Sequence, residues 1–157
     1  MAERVFVAVG TNLGNRLGNV VEARRRLHGV SDLQVVATSR LVQTPALLLP
    51  GDLPQPDFLN GVFELRCALE PVDVLRVLLR VERSMGRVRT SRWAPRVIDL
   101  DLVLFGERVV DLPGLQVPHP GLASRRFVLE PLATLAPLVR EPVSGRTIRA
   151  LLSALPD

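Results

Sequence analysis

Lysine is absent from this 157-residue chain, so all 20 of its basic residues are arginine. That excludes the lysine of a phosphate-binding P-loop and every mechanism that runs through a Schiff base. A bound phosphate must instead be held by arginine, histidine, backbone amides or metal. Cysteine is limited to Cys67, which permits no internal disulfide, and a reducing cytoplasm is the expected setting. No apolar run reaches the roughly 18 residues of a membrane span. The opening MAERVFVAVG passes from charge straight into a strand pattern, without a signal-peptide layout. Aromatics are few, five Phe and one Trp. The net charge of +4 suits an anionic ligand without choosing between nucleotide and nucleic acid. The length fits one domain over residues 1–157 with a sizeable core. Coding bias accounts for the arginine usage at large better than it accounts for the cluster at 87–96.

That cluster opens the stretch around which the chain is organised, GRVRTSRWAPRVIDLDLVLFG, from Gly86 to Gly106. Arg87, Arg89, Arg92 and Arg96 surround the single tryptophan, Trp93. The run Val97–Phe105 is β-branched and leucine-rich and ends at Gly106, the pattern of a buried strand. Residues two apart on a strand share a face. Asp99 and Asp101 therefore point one way, and Ile98, Leu100 and Leu102 the other. Carboxylates within about 7 Å of each other repel unless a positive group stands between them. Arginine can do this. Mg²⁺ does it better, because it takes one or two carboxylates and completes its shell with phosphate oxygens. The local reading is a polyphosphate on Mg²⁺, gripped by arginines.

The remaining pattern supplies a frame for that strand. Arg4–Gly10 alternates as a first strand, the turn GTNLGN follows, and Asn15 is placed to cap a helix that runs to about Gly29. Leu33–Thr44 reads as a second strand and Phe58–Ala68 as a third, antiparallel to it. Between them PALLLPGDLPQP (45–56) is a loop with four prolines, and its leucines suit a hydrophobic lid or a stiff connection. A helix starts at Glu70–Pro71, carries Val74, Leu75, Leu78, Leu79, Glu82 and Met85 at helical spacing, and stops at Gly86. After the arginine-rich loop and its strand come a short strand at Arg108–Asp111, a Pro/Gly-rich segment holding His119 between Pro118 and Pro120, and helices at Arg125–Leu135 and Thr147–Leu155. The order β-α-β-β-α-β is the split β-α-β arrangement of ferredoxin-like α+β sandwiches, here with a C-terminal strand and helix extension. In that fold the outer helices cover one sheet face, and the acidic pair is expected on the other, partly open face. Phe58, Phe127 and Trp93 each have a polar or basic neighbour and suit a flat heterocycle.

GTNLGN, QTP (43–45), FLNGV (58–62), PVDVLRVLLRVERSMGRVR (71–89), RWAPRVIDLDLVLFG (92–106), VPHP (117–120) and FVLEPL (127–132) occur in that order. Together they resemble the 6-hydroxymethyl-7,8-dihydropterin pyrophosphokinase family of folate synthesis, over nearly the whole chain. The segment from Arg92 to Asp101 is the most specific of them. The resemblance implies transfer of diphosphate from ATP to a pterin hydroxymethyl group, with release of AMP. By motif, Asp99 and Asp101 would hold two Mg²⁺ ions, and Arg87 and Arg96 would share the catalytic work with them. Arg87, Arg89, Arg96, His119 and Arg125 would enclose the ATP phosphates, and Glu82 and Trp93 would help form the nucleotide pocket. The pterin would stack between Phe58 and Phe127, with Asn60, Thr44, Pro45 and the backbone at Leu47 reading its polar edge. The implied partners are small molecules, with no nucleic acid and no membrane, and the chain is expected to act as a monomer.

This chain departs from the family pattern at Phe58, where tyrosine is common, at Ala94, where glycine is usual, and at Leu79, where some relatives place a polar adenine contact. Two rival readings remain at this level. A nucleotidyltransferase on a similar sheet would release pyrophosphate rather than AMP. A ferredoxin-like RNA-binding module would stack bases on aromatics exposed on its central strands, where this chain has Asp99 and Asp101.

Overall fold

A computed structural model describes residues 2–86 and 96–157. Four strands form the body of an antiparallel sheet: β1 (Glu3–Thr11), β2 (Leu33–Thr38), β4 (Phe58–Cys67) and β5 (Asp99–Phe105), in the order β2-β4-β1-β5. A three-residue strand, β3 (Val42–Thr44), extends β2 along the edge of β4. Helices α1 (Arg16–His28) and α2 (Pro71–Ser84) join β1 to β2 and β4 to β5. This is the ferredoxin-like arrangement expected from the sequence pattern. Asn15 caps α1 as anticipated, its side-chain oxygen accepting from the Gly18 amide at 2.9 Å.

Period-two alternation divides the sheet between two apolar layers. Val5, Val7 and Val9 of β1, with Leu100 and Leu102 of β5, pack on Val20, Ala23 and Leu27 of α1 and on Val74, Leu78 and Val81 of α2. The buried stripe of α2 runs through Val77 and Val81 as well, so Leu75 and Leu79 flank the core rather than fill it. Phe6, Val62 and Leu104 face the opposite side and meet two further helices, α3 (Arg126–Leu135) and α4 (Ile148–Ser153). The second face is thus more covered than the ferredoxin-like frame alone implies. What stays open is the end of it beyond Ala8.

Two segments depart from the sequence expectation. The strand expected over 33–44 breaks at 39–41, because a side chain replaces the backbone ladder there. The Ser39 amide donates to the Val62 carbonyl at 2.9 Å, and the Ser39 hydroxyl accepts the Val62 amide at 2.8 Å. Leu41 then crosses Gly61, where a Cβ would lie 2.5 Å from Leu41 Cδ2. The strand expected at Arg108–Asp111 lies at Val110–Leu112 (β6) and forms its own hairpin with β7 (Leu115–Val117), separate from the main sheet. Pro113 and Gly114, the latter at φ +77°, make the two-residue connection. These are the residues a type II turn favours at its two central positions.

Ser39→Ala removes the acceptor of a buried amide and should lower unfolding stability by about 1–3 kcal/mol. Urea unfolding checks this, with the midpoint falling at an unchanged slope.

Candidate active site

The open end of the second face is built from three strands in register. Gly10 of β1 lies between Asn60 of β4 and Asp99 of β5, and Ala8 lies between Val62 and Asp101. The cross-strand neighbours of both carboxylates on β1 are therefore the two smallest side-chain positions available, which leaves a hollow above them. Gly10 is required there. A Cβ would sit 2.9 Å from the Asn60 side-chain oxygen, and Asn60, buried, donates its amide to the Thr44 hydroxyl at 2.7 Å.

A cavity of about 600 Å³ occupies this hollow. It brings together all six residues assigned from the sequence to a flat ligand, Thr44, Pro45, Leu47, Phe58, Asn60 and Phe127, and adds Arg96, Asp99, Asp101 and Arg125. A second cavity of about 600 Å³ lies past the outer edge of β5. Leu75 of α2, the β6–β7 hairpin and His119 line it, and so does Asp101, which belongs to both cavities. Glu82 sits behind the strand. It is 3% exposed, and its carboxylate accepts the Leu100 amide at 2.8 Å, so it braces β5 from the core side. Arg87, Arg89 and Trp93 lie outside the described residues.

The charged groups are held in place by short bonds. Arg96 pairs with Asp99 at 2.9 Å, both side chains about a quarter exposed. Arg125 passes close over Gly121, where a Cβ would lie 2.7 Å from its Nε, and its guanidinium sits 5.7 Å from the centre of the Phe127 ring. His119 Nδ1 accepts the Gly121 amide at 3.0 Å, which puts the proton of the neutral ring on Nε2. Burial pushes the His119 pKa down, the Arg125 charge adds to that, and Asp99 opposes it.

One residue of this site carried no role in the sequence reading. Asn12, within GTNLGN, is completely buried. Its side-chain oxygen accepts the Arg96 amide at 2.8 Å, and its own amide donates to the Arg96 carbonyl at 3.1 Å. Its side-chain NH₂ donates to Gln55 Oε1 at 3.1 Å and to the Pro56 carbonyl at 3.3 Å. Asn12 thereby stitches the proline-rich 45–57 wall to the arginine beside Asp99. Asn19 adds a bond to the Val97 carbonyl at 3.2 Å. The available signal was a polar residue at the buried end of a strand, which says that partners exist without naming them. The hairpin wall of the second cavity is half legible in the sequence: a short strand is expected at Arg108–Asp111, but its partner at Leu115–Val117 falls in a segment that reads as Pro/Gly-rich loop.

Residues 6–137 match the family model described as 7,8-dihydro-6-hydroxymethylpterin-pyrophosphokinase. The chain is 44% identical over 156 residues to a 2-amino-4-hydroxy-6-hydroxymethyldihydropteridine pyrophosphokinase of Pseudomonas aeruginosa, covering 99% of this chain and 94% of that one. It is 39% identical over 146 residues to a protein of the same name from Synechocystis sp., covering 93% and 73%. Identity to the folic acid synthesis protein fol1 of Schizosaccharomyces pombe is 34%, over 97% of this chain and 20% of that protein. Among solved structures, Plasmodium falciparum HPPK-DHPS A437G with STZ-DHP shares the fold at a TM-score of 0.73 and 14% identity, over 98% of this chain. This chain spans 45% of that one.

Two outcomes are expected from this geometry. Asn12→Ala leaves the Arg96 amide without its side-chain acceptor and should cost about 1–3 kcal/mol, with faster hydrogen exchange at that amide. For His119, a folded-state pKa below its ordinary 6.5 means that the unfolded chain binds more protons once the pH falls past that value. Stability present at neutral pH should then decline as pH drops below about 6.5. His119→Asn, which keeps an acceptor for Gly121, should flatten that part of a melting-temperature profile.

Proposed function

The chain belongs to the 7,8-dihydro-6-hydroxymethylpterin-pyrophosphokinase family, and we propose that it transfers the β,γ-diphosphate of ATP to the hydroxymethyl group of 6-hydroxymethyl-7,8-dihydropterin. Membership makes it a pyrophosphokinase of folate biosynthesis with ATP as co-substrate. The finer assignment rests on one observation: Asp101 lines both cavities, and the first of them gathers the six residues assigned to the pterin.

In this reading the pterin enters the first cavity between Phe58 and Phe127, and Asn60, Thr44, Pro45 and the Leu47 backbone meet its polar edge. ATP takes the second cavity, with its phosphates toward Asp101. His119 donates from Nε2 to a phosphate oxygen while remaining neutral near pH 7. Arg96 and Arg125, joined by Arg87 and Arg89, neutralise charge that builds on the phosphoryl oxygens. Glu82 and Trp93 belong with the nucleotide side, Glu82 by holding β5 in place. The hydroxyl oxygen gives up its proton to solvent and bonds to the β-phosphorus as the bond from that phosphorus to the α,β-bridging oxygen breaks, and AMP leaves. Enclosure by the two walls that Asn12 links would bring the reacting atoms into line, and such positioning acts together with the electrostatic stabilisation in a transfer of this kind.

The residues present fit Mg²⁺. Asp99 and Asp101 offer hard oxygen donors on one face, opposite glycine and alanine, and a magnesium ion needs only such a pair plus phosphate oxygens and water. Two ions held there would offset phosphate charge and make the pterin hydroxyl easier to deprotonate. We further propose a single catalytic domain over residues 1–157, acting as a monomer in the cytoplasm. No helix among the described residues is long and apolar enough to cross a membrane.

Incubation with ATP, Mg²⁺ and the reduced pterin alcohol should yield AMP and diphosphorylated pterin. Release of free pyrophosphate would favour a nucleotidyltransferase instead. Asp101→Ala should lower turnover at least ~10²-fold while leaving the circular dichroism spectrum unchanged, and near-normal activity at saturating Mg²⁺ would remove the mechanism. Arg96→Ala should slow the chemical step more than it weakens pterin binding. Single-turnover rates set against equilibrium titration measure the two effects separately.

A further inference from the structure

Arg125 and Arg126 are adjacent, and only Arg125 carries a role by motif. The structure separates them. Arg125 lines the first cavity together with Phe127 and Val128. Arg126 donates to the backbone beyond α4 instead, to the Pro156 carbonyl at 2.8 Å and the Leu155 carbonyl at 3.4 Å, and it pairs with Glu130 at 3.3 Å.

Three features make that contact more than a surface bond. The first turn of α3 has no side-chain cap and no acidic residue, so a cation at its first position is unfavourable toward the helix dipole and needs partners of its own. Phe127 is 36% exposed, so apolar packing holds its ring weakly, whereas Val128, Leu129 and Leu132 of the same helix are fixed in the core beside Ile148 and Leu151 of α4. Arg125 sits over Phe127, and the two therefore shift together if the turn shifts.

We propose that Arg126 is a positioning residue that anchors the first turn of α3 to the Leu155–Pro156 backbone and so sets where Arg125 and Phe127 stand in the cavity. The proposal rests on the pyrophosphokinase reading for what the cavity binds. It is specific to this arrangement of α3 and α4 and assigns Arg126 no contact with substrate.

The test is a series at this position, Arg126→Lys, Arg126→Ala and Arg126→Glu, in the full chain. Three quantities are measured: affinity for the reduced pterin alcohol in the presence of Mg²⁺ and a non-hydrolysable ATP analogue, hydrogen exchange at the Val128 and Leu129 amides, and melting temperature. Loss of a charge-assisted bond to a carbonyl should weaken pterin binding about three- to tenfold in Arg126→Ala. Lys, which keeps a donor, should stay near wild type. Glu, which faces the carbonyls with like charge, should be at least as weak as Ala. A plain helix-stability role gives the reverse order, because Glu is favoured at a helix N-terminus. Glu binding as well as wild type, or Ala without effect on either affinity or exchange, would overturn the proposal. If wild type itself binds no pterin, the functional reading fails alone. The exchange data then still decide the anchor, with faster exchange in Ala and Glu supporting it and unchanged protection refuting it.

Discussion

Two carboxylates side by side on one strand are the constraint on which the site depends. The strand period places Ile98, Leu100 and Leu102 in the core and leaves Asp99 and Asp101 on the other face. Moving β5 by one residue would bury both acids and expose the leucines, so the packing of α1 and α2 against the sheet also guarantees the direction of the acidic pair. Core packing and the direction of the two acids are tied here through one register, and Glu82 secures it from the core side by holding the Leu100 amide.

What the acids can do depends on their neighbours across the sheet. Gly10 and Ala8 stand opposite them, and larger residues there would fill the space a ligand needs. Earlier on the same strand, Val5, Phe6 and Val7 are all fully buried. β1 therefore acts as core at one end and as the floor of a cavity at the other. α3 and α4 cover only the core end of that face, with Phe6, Val62 and Leu104 beneath them. Their boundary defines the cavity, and the first turn of α3 lies on its rim.

Loops complete the enclosure, and loops need anchors. Asn12 supplies one at the centre, because its side chain both accepts and donates and its burial keeps water from competing for those bonds. The proline-rich wall is pinned further by Arg16, which donates to the Asp57 carbonyl at 2.9 Å. Ahead of these fixed points, Leu47, Leu49 and Leu53 remain well exposed. The wall is held at its base and presents apolar side chains along its length.

Much of this was legible in the order of residues, because it follows from local periodicity. Alternation in 4–10 and 97–105, the cap at Asn15, the helical spacing after Pro71 and the shared face of Asp99 and Asp101 need only backbone geometry. Other features required distant segments to meet. The break at Ser39 arises because its hydroxyl finds the Val62 amide on the next strand. The roles of Asn12 and Arg126 depend on partners 84 and 30 residues away. Periodicity says which way a side chain points. Only the packed sheet and helices decide what it reaches, because those partners become neighbours when the apolar layers close.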